Sequence, residues 1–467
     1  MTDQPESKII LNVPSLPEPL LTLCSKVADA GGRGWLVGGS VRDMLLGLSP
    51  KDFDLEVYGL PAERLELLLN KLGRTETVGR QFGILKFWSN NIEVDVALPR
   101  TERKTAGGHC GFAVQTDPLL SPEKASMRRD FTINAMMFDP LTSQILDFHD
   151  GKSDLDKGIL RHVSPAFAED PLRPLRAMQF AARFRLTLDK ETAELCKALL
   201  AEAKNLPPSR IWDEWKKWAL SPYPSYGLVA LAESGWLTCY PELEAMIGCD
   251  QEPHWHPEGD VWKHTLQVVD QAATLCHRRG LNNKTRKLLL LAALCHDVGK
   301  PETSFVNDRG RISSPGHADA GVPISKAFLQ KISAPAKLIE LILPLVKEHI
   351  THLHGKPTER AIRRLAARLE PANIELWEML VEADASGRFP APTSRPAHGW
   401  LQLAKEMRHE HSKPEPLLTG KTLIGFGLDP GPEMGDILKE AYQAQLDGEI
   451  VDHASALGWY RDFISSK

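Results

Sequence analysis

Residues 35–55 read WLVGGSVRDMLLGLSPKDFDL, and the rest of the chain is interpreted outward from this stretch. Its pattern predicts a short apolar strand, a turn at Gly38-Gly39, a short helix and a second strand carrying Asp52 and Asp54. The start of such a helix offers free N–H groups to an anion, and we expect a polyphosphate there. Residues two apart in a strand share one side, so the two carboxylates lie together. Mg²⁺ is their usual partner where phosphates are also present.

The composition is that of a soluble protein with two or three domains. The chain has 467 residues, 42% of them hydrophobic and 25% charged, with a net charge of −5 and a pI near 6.4. No overall basic charge marks a nucleic-acid partner, but a local basic face is enough to contact RNA. The longest apolar run, residues 288–295, is too short to span a bilayer, and the start of the chain does not resemble a signal peptide. The seven scattered cysteines include no C-x-x-C pair, so we expect a cytoplasmic protein with no membrane partner.

A third carboxylate is expected from the segment after this stretch. Residues 78–100 alternate apolar and polar side chains around an Asn90-Asn91 turn signal, which predicts a hairpin. Its second strand carries Glu93 and Asp95. Either carboxylate could complete a metal site and accept a proton from an attacking hydroxyl, and Asp95 is the better candidate. The alternative is that both simply face solvent.

A second polar cluster lies in the sequence MRRDFTINAMMFDP, residues 127–140. Arg129, with the arginine before it, is suited to hold a triphosphate, because guanidinium groups bind phosphate in a bidentate manner. Asp130 and Asn134 could form hydrogen bonds to a ribose hydroxyl. A salt-bridged surface is the alternative interpretation of the same residues.

A pair of side chains suited to reading a base follows Glu169, where apolar and basic residues recur at helical spacing. Asp170 and Arg173 lie three apart, which would place them on one face of that helix. Cytosine and adenine both present an amino donor beside a ring-nitrogen acceptor, so a carboxylate plus a guanidinium can pair with either. Uracil and guanine present the reverse polarity and would be refused.

Several motifs occur in the order seen in the bacterial class II CCA-adding tRNA nucleotidyltransferases, and the chain resembles that family. The motifs are LVGGSVRD, KDFDLEVYG, RTERK, RRDFTINAM, RHVSPAFAEDPLR and AARF. The resemblance implies that Asp52 and Asp54 bind Mg²⁺, with Asp95 as third carboxylate. It implies nucleotide contacts at the following residues: Gly39, Arg42, Arg129, Asp130, Asn134, Asp170, Arg173 and Arg176. Gln179 stands where many members have a further arginine, so one cation fewer would face the triphosphate.

A second site is expected after residue 250, where imidazoles and carboxylates recur on successive predicted helices. The residues are His264, His296, Asp297, His317, His349 and Asp384. Such a mixture suits a divalent transition metal or Mg²⁺ that activates water. The pattern H…HD…H…H…D resembles the HD phosphohydrolase superfamily. That resemblance implies direct ligands at His264, His296, Asp297 and Asp384, while His317 and His349 complete a second metal position or bind a substrate phosphate.

The expected fold is α+β and mostly helical. It comprises a mixed-sheet nucleotidyltransferase head (1–165), a helical neck that selects the base and binds RNA (166–249), an all-α HD domain (250–390) and a helical C-terminal tail (391–467). The expected reaction is CCA addition to the 3′ end of tRNA from CTP and ATP, with an added phosphohydrolase activity. Addition of CC only, of A only or of poly(A) stays open, as does an HD hydrolase whose head only binds nucleotide or RNA. The sequence does not indicate the oligomeric state or which divalent metal the HD site takes.

Overall fold

The computed structural model describes residues 15–50, 52–78, 84–104, 112–388, 390 and 394–465. Two compact units are present. The first comprises the chain up to Glu214 together with Tyr226–Cys239, and the second comprises Trp215–Ser225 together with Tyr240–Lys467.

The first unit is built on a seven-stranded mixed sheet. Its strands are β1 (Arg33–Val37), β2 (Phe53–Tyr58), β3 (Arg74–Val78), β4 (Ile84–Ser89), β5 (Ile92–Ala97), β8 (Met137–Phe138) and β9 (Ile145–Leu146), in the order β3-β4-β5-β2-β1-β8-β9. Strands β2 and β5 are parallel and the other neighbours are antiparallel. Two smaller pairs lie outside this sheet: β6 (Arg100–Lys104) with β7 (Phe112–Thr116), and β10 (Ile159–Leu160) with β11 (Thr187–Leu188).

The predicted hairpin is confirmed in β4 and β5. Asn90 and Asn91 connect the strands, both with positive φ, of 43° and 65°. This conformation belongs to the two-residue turns that match strand twist, and asparagine tolerates it better than most residues. The hairpin therefore fixes the register that brings Asp95 to its place in the sheet.

Helices cover the sheet and continue beyond it. Those up to residue 233 are α1 (Glu18–Asp29), α2 (Gly39–Leu45), α3 (Ala62–Leu72), α4 (Pro122–Ser126), α5 (Gly151–Lys157), α6 (Arg173–Phe184), α7 (Lys190–Ala198), α8 (Pro208–Trp218) and α9 (Pro224–Glu233). Helix α1 buries Leu20, Leu23, Cys24 and Val27, which recur at helical spacing.

The second unit is almost entirely helical. Its helices after α9 are α10 (Pro241–Glu244), α11 (Val261–Arg278), α12 (Asn283–Cys295), α13 (Lys300–Thr303), α14 (His317–Lys331), α15 (Ala336–Glu348), α16 (Glu359–Leu369), α17 (Ile374–Ser386), α18 (His398–Glu406), α19 (Gly420–Gly425), α20 (Pro432–Asp447) and α21 (His453–Ser465). One short hairpin interrupts them, β12 (Phe305–Val306) with β13 (Ile312–Ser313). The prediction of an α+β, mostly helical chain is confirmed.

The apolar run at 288–295 forms the centre of this unit. All eight residues of the run are buried in α12, which packs between α11 and α17 and against α15. The run is therefore a core helix. Within the described residues, none of the helices is long and apolar enough to cross a membrane.

A buried acidic pair on α17 joins three elements of the second unit. Glu378 is fully buried and accepts hydrogen bonds from Arg395 (2.7 Å from Nε) and Arg279 (3.4 Å). One turn on, Glu382 pairs with Arg278, Arg279 and Arg395. A buried charge persists only when it is paired, so these contacts fix the end of α11 and the segment at Arg395 against α17.

Replacing Glu378 by alanine will therefore destabilise the second unit. The arginines left behind are only partly exposed, and we expect a loss of about 2–4 kcal/mol in the free energy of unfolding, read from urea denaturation. Glu359→Ala removes an exposed i,i+4 partner of Arg363 and serves as the matched control, with an expected change of about 0.5 kcal/mol or less. Equal stability of the two variants would contradict the structural role of Glu378.

Candidate active sites

The carboxylates of the head meet because β2 pairs in parallel with β5. In this register Asp54 lies directly opposite Asp95. Asp52 sits in a bend immediately before β2, so it lies outside the strand and not inside it as predicted. Asp52 is nonetheless close enough to Asp54 for its charge to raise the pKa of the Asp54 carboxyl. The structure thus brings together the three carboxylates selected from the sequence.

The glycine turn lies beside Asp54 and Arg129. Gly38 has a φ of +73°, and a Cβ at this position would lie 3.2 Å from Nη1 of Arg129 and 3.5 Å from Oδ2 of Asp54. A side chain would therefore be strained and crowded at once. The turn brings bare backbone next to one carboxylate and one guanidinium, with Gly39 following as the first residue of α2.

The ionisation of Asp54 reflects this crowding. Although the residue is exposed, nearby protein atoms displace water from its carboxylate and raise its pKa. Arg129 opposes the shift, while the carboxylates of Asp95 and Asp52 add to it. Three oxygen-rich side chains that repel one another fit a hard divalent cation, and carboxylate oxygens are the ligands Mg²⁺ prefers.

The two candidates for third carboxylate are distinguished by their contacts. Glu93 pairs with Lys86 and accepts a hydrogen bond from the Trp88 indole (3.0 Å). Asp95 also faces Lys86, at 3.3 Å, but lies beside Asp54 in the sheet. The geometry favours Asp95.

A buried glutamate that the sequence interpretation overlooked anchors the arginine pair. Glu56 is 1% exposed and contacts Nη2 of Arg128 (2.6 Å) and Nη2 of Arg129 (3.7 Å). It also accepts a hydrogen bond from the Tyr58 hydroxyl (2.8 Å). The signal was present as a third acidic residue at alternate positions after Asp52. Glu56 holds Arg129 next to Gly38, where an anion would be met.

Asp130 is the centre of a buried polar network. Its carboxylate accepts hydrogen bonds from Asn134 (3.0 Å) and from Nε of Arg176 (2.9 Å). Burial alone would raise its pKa, but Arg176 and Asn134 hold it at about 2. Asn134 in turn accepts a hydrogen bond from Arg42, which is 3% exposed and lies 4.2 Å from the ring centre of Phe184. The network joins α2, the segment after α4, and α6.

The predicted helix after Glu169 begins later than its periodicity indicates. Helix α6 starts at Arg173, so the prediction that Asp170 lies on one face of it is wrong. Pro171 explains the difference, because a residue before a proline avoids helical dihedral angles, and Asp170 is extended (φ −110°, ψ 104°). Asp170 instead accepts the N–H of Leu172 and faces Arg210 at 3.5 Å.

Two further residues of α6 stand out. Arg173 donates to the carbonyl oxygens of Ala166 (2.9 Å) and Arg128 (2.7 Å), which ties the start of α6 to the arginine pair. Gln179 is 4% exposed, and within the described chain its Nε2 has no hydrogen-bond partner. A buried donor without an acceptor is costly, so this amide is a candidate for a contact with a ligand.

In the second unit, Asp297 sits between two groups of histidines. One carboxylate oxygen faces Nε2 of His296 (3.1 Å) and of His264 (3.9 Å). The other faces Nε2 of His317 (3.4 Å) and of His349 (3.6 Å). All six residues predicted for this site come together, with Asp384 3.0 Å from Nε2 of His264.

Three of these imidazoles are oriented in the same way. His296, His317 and His349 each place Nδ1 within 2.6–2.8 Å of the carbonyl oxygen three residues earlier. Donation from Nδ1 leaves Nε2 as the free lone pair facing Asp297, which is the arrangement of metal-binding histidines. Nε2 of His296 is buried and has no hydrogen-bond partner within the described residues. The donor set fits two adjacent divalent cations that share Asp297.

Charged residues missed by the sequence interpretation surround this centre. Glu258 lies 2.8 Å from Nδ1 of His264 and so orients that ring. Lys300 contacts Asp297 at 2.7 Å, and together with His296 it keeps the pKa of the Asp297 carboxyl well below its usual range despite burial. Glu258 precedes α11 in a loop with no periodic pattern, so spacing could not select it.

Three regions of the chain match known domain families. They are the Poly A polymerase head domain at residues 34–161, the probable RNA and SrmB-binding site of polymerase A at 185–247, and the HD domain at 261–382. Among solved structures, the Bacillus stearothermophilus CCA-adding enzyme in complex with CTP superposes with a TM-score of 0.64 and 20% identity. That match covers 97% of this chain and 100% of the other, and it shows a shared fold.

Curated relatives match over most of their length. The multifunctional CCA protein of Nitrosococcus oceani is 36% identical over 420 residues, covering 88% of this chain and 96% of the relative. That of Pasteurella multocida is 37% identical over 369 residues, covering 76% and 84%. The chain belongs to the multifunctional CCA protein family.

Proposed function

We propose that the chain adds C and A to the 3′ end of tRNA from CTP and ATP, with release of pyrophosphate. The observation that carries this proposal is the parallel register of Asp54 with Asp95, beside the Gly38 turn and Arg129. Membership of the multifunctional CCA protein family supports it. The reaction is attack by the tRNA 3′-hydroxyl on the α-phosphorus of the nucleotide.

Each part of the head has a role in this proposal. Asp52, Asp54 and Asp95 hold Mg²⁺, which when bound neutralises charge on the phosphates and orients the attacking and leaving oxygens. Arg129, anchored by Glu56, meets the triphosphate at the glycine turn. The charged groups of the Asp130 network are paired with one another, so the network forms a rigid surface that contacts the nucleotide sugar.

We further propose that Asp170 and Arg173 select the base, with Arg176, Gln179 and Arg42 lining the rest of the nucleotide pocket.

We also propose the division of the chain into head (1–165), neck (166–249), HD domain (250–390) and tail (391–467). The three matched family regions support its first three parts. Within the described residues six cysteines are free thiols, which supports the proposal that the protein is located in a reducing cytoplasm.

We propose that the second unit is a metal-dependent phosphohydrolase. His264, His296, Asp297 and Asp384 hold one divalent cation, and His317 and His349 complete a second position beside Asp297. A bound cation of this kind lowers the pKa of water and polarises a phosphoryl oxygen. Glu258 keeps His264 in the orientation that this binding needs.

The test of nucleotide addition uses tRNAs that end before C, before the second C and before A. We expect the purified protein to complete all three to CCA with CTP and ATP, and Asp52→Ala to lower the rate by at least about 10³-fold, because electrostatic stabilisation at the reacting phosphate is lost. Phosphate release by the HD half should be unchanged in that variant. Incorporation by Asp52→Ala at the wild-type rate would refute the carboxylate assignment. Extension that stops after CC, addition of A only to the tRNA that already ends in CC, or extension into poly(A) would identify a narrower relative.

A second prediction concerns base selection. Arg173→Ala should reduce the preference for CTP and ATP over UTP and GTP by about 10-fold or more, since a bidentate base contact contributes roughly 1–3 kcal/mol. The measurement is the ratio of kcat/KM values for the four nucleotides on one tRNA. Arg183→Ala, on the same helix but 46% exposed, is the control and should leave the ratio intact. A uniform fall in all four rates would instead leave Arg173 with a structural role only.

A third prediction concerns metal binding in the second unit. Glu258→Gln should weaken the affinity of the protein for Mn²⁺ or Co²⁺ by about 10- to 100-fold, because the partner that orients a histidine ligand also raises its basicity. Titration calorimetry on chelator-treated protein measures this. Glu252→Gln alters the same loop at a carboxylate that accepts the N–H of Ile312 and should leave metal affinity unchanged. If Glu258→Gln binds the metal as tightly as the wild type does, the proposed orienting role of Glu258 is wrong.

A further inference from the structure

Lys86 lies in the same row of the sheet as two of the proposed metal ligands. It stands opposite Asp95 in the antiparallel pair of β4 and β5, and Asp95 stands opposite Asp54 in the parallel pair of β2 and β5. Residues directly opposite one another on neighbouring strands project from the same face of a sheet. The next neighbour of the two carboxylates across the sheet is therefore a primary amine.

Lys86 is shared between two carboxylates of β5. Its Nζ forms an ion pair with Oε1 of Glu93 and lies 3.3 Å from Oδ1 of Asp95. Glu93 comes two residues before Asp95 in the same strand, so both side chains point to one side. Oδ1 of Asp95 is buried and, within the described residues, has no hydrogen-bond partner. The amine thus provides charge at this oxygen without a hydrogen bond to it.

Glu93 is fixed through its second oxygen. Oε2 accepts a hydrogen bond from the indole N–H of Trp88 (3.0 Å), which stands opposite Glu93 in the hairpin. The guanidinium of Arg74, on the neighbouring strand β3, lies 5.2 Å from the ring centre of Trp88. Glu93 therefore has a defined position, and it holds the amine of Lys86 in place while the charge stays beside Asp95.

A fixed ammonium group beside a metal ligand opposes binding of the metal. Lys86 and Mg²⁺ are both cations attracted to the oxygens of Asp95, so the presence of one lowers the affinity for the other. The side chains of Lys86 and Asp95 are 31% and 41% exposed, so water weakens this repulsion but does not cancel it. Loss of the charge should therefore strengthen metal binding, whereas loss of a merely structural contact would weaken it.

We propose that Lys86 is a positioning residue that sets the affinity of the head for its metal. It pairs with Asp95 and weakens Mg²⁺ binding before nucleotide arrives, and Glu93 limits this effect by binding the same amine. The inference rests on the proposed nucleotide-adding function for the identity of the site. The triphosphate of a bound nucleotide brings its own negative charge, so the metal then binds more tightly.

Mn²⁺ binding to the full-length protein without nucleotide, followed by electron paramagnetic resonance, tests the proposal without turnover. Sites that disappear in Asp54→Asn belong to the head, so metal bound by the second unit is subtracted. Lys86→Met should tighten the head sites about 3- to 10-fold, the size of one screened contact between charges. Lys86→Arg keeps the charge and should match the wild type. Lys71→Met removes an exposed lysine of α3 and is the control with unchanged affinity.

The role of Glu93 is tested by a double-mutant cycle. Glu93→Gln alone should weaken the head sites about 3- to 10-fold, because the amine of Lys86 is then balanced by Asp95 only. In the Lys86→Met background the same change should have a smaller effect. An equal effect in both backgrounds would overturn the proposal that Glu93 acts through Lys86.

The metal titration also separates this proposal from the proposed reaction. Weaker or unchanged Mn²⁺ binding in Lys86→Met would overturn the role of Lys86, and so would a wild type with no Mn²⁺ site that depends on Asp54. Tighter binding in Lys86→Met, together with a wild type that adds no nucleotide to tRNA, would refute the nucleotide-adding function and leave the role of Lys86 standing.

Discussion

The parallel pairing of β2 with β5 is the constraint on which the head depends. The other neighbour of each strand is antiparallel, β1 for β2 and β4 for β5, so the parallel contact alone places Asp54 and Asp95 side by side. Parallel neighbours require a crossover, here made of α3, β3 and β4. A slip of one residue in the pairing would turn Asp95 to the opposite face of the sheet and remove it from the site.

The two units bring side chains suited to metal binding close together in different ways. In the head, strand register places the carboxylates of Asp54 and Asp95 side by side, and the nearby charge of Arg129 offsets part of their repulsion. In the second unit the three histidines that would complete the proposed metal site around Asp297 lie at helix ends. His296 and His349 directly follow α12 and α15, and His317 begins α14. At the two helix C-termini the last carbonyl groups lack helical partners, so each imidazole satisfies one and is oriented by it. The hydrogen bond from Nδ1 to the carbonyl oxygen three residues earlier thereby fixes the tautomer of each ring.

Local features were predictable because their causes are local. The Asn90-Asn91 turn, the apolar stripe of α1 and the glycine turn each depend on a few adjacent residues. The set of six HD residues also followed from the sequence, since their types recur on successive helices. The roles of Glu56 and Glu258 did not, because a single acidic residue gives no signal until folding brings its partners to it. Asp170 was wrongly predicted on α6 because Pro171 forces an extended backbone at Asp170 despite the helical spacing of the residues around it.

Gln179 shows how a departure from a family pattern can be compatible with the site. Its neighbours on the face of α6 are Arg176, three residues before, and Arg183, four residues after. A third guanidinium between them would add like-charge repulsion before any nucleotide binds. The neutral amide keeps a buried donor in place without that cost. Because Arg176 is already paired with Asp130, the proposed contact with the triphosphate depends mainly on Arg129, which lies at the glycine turn.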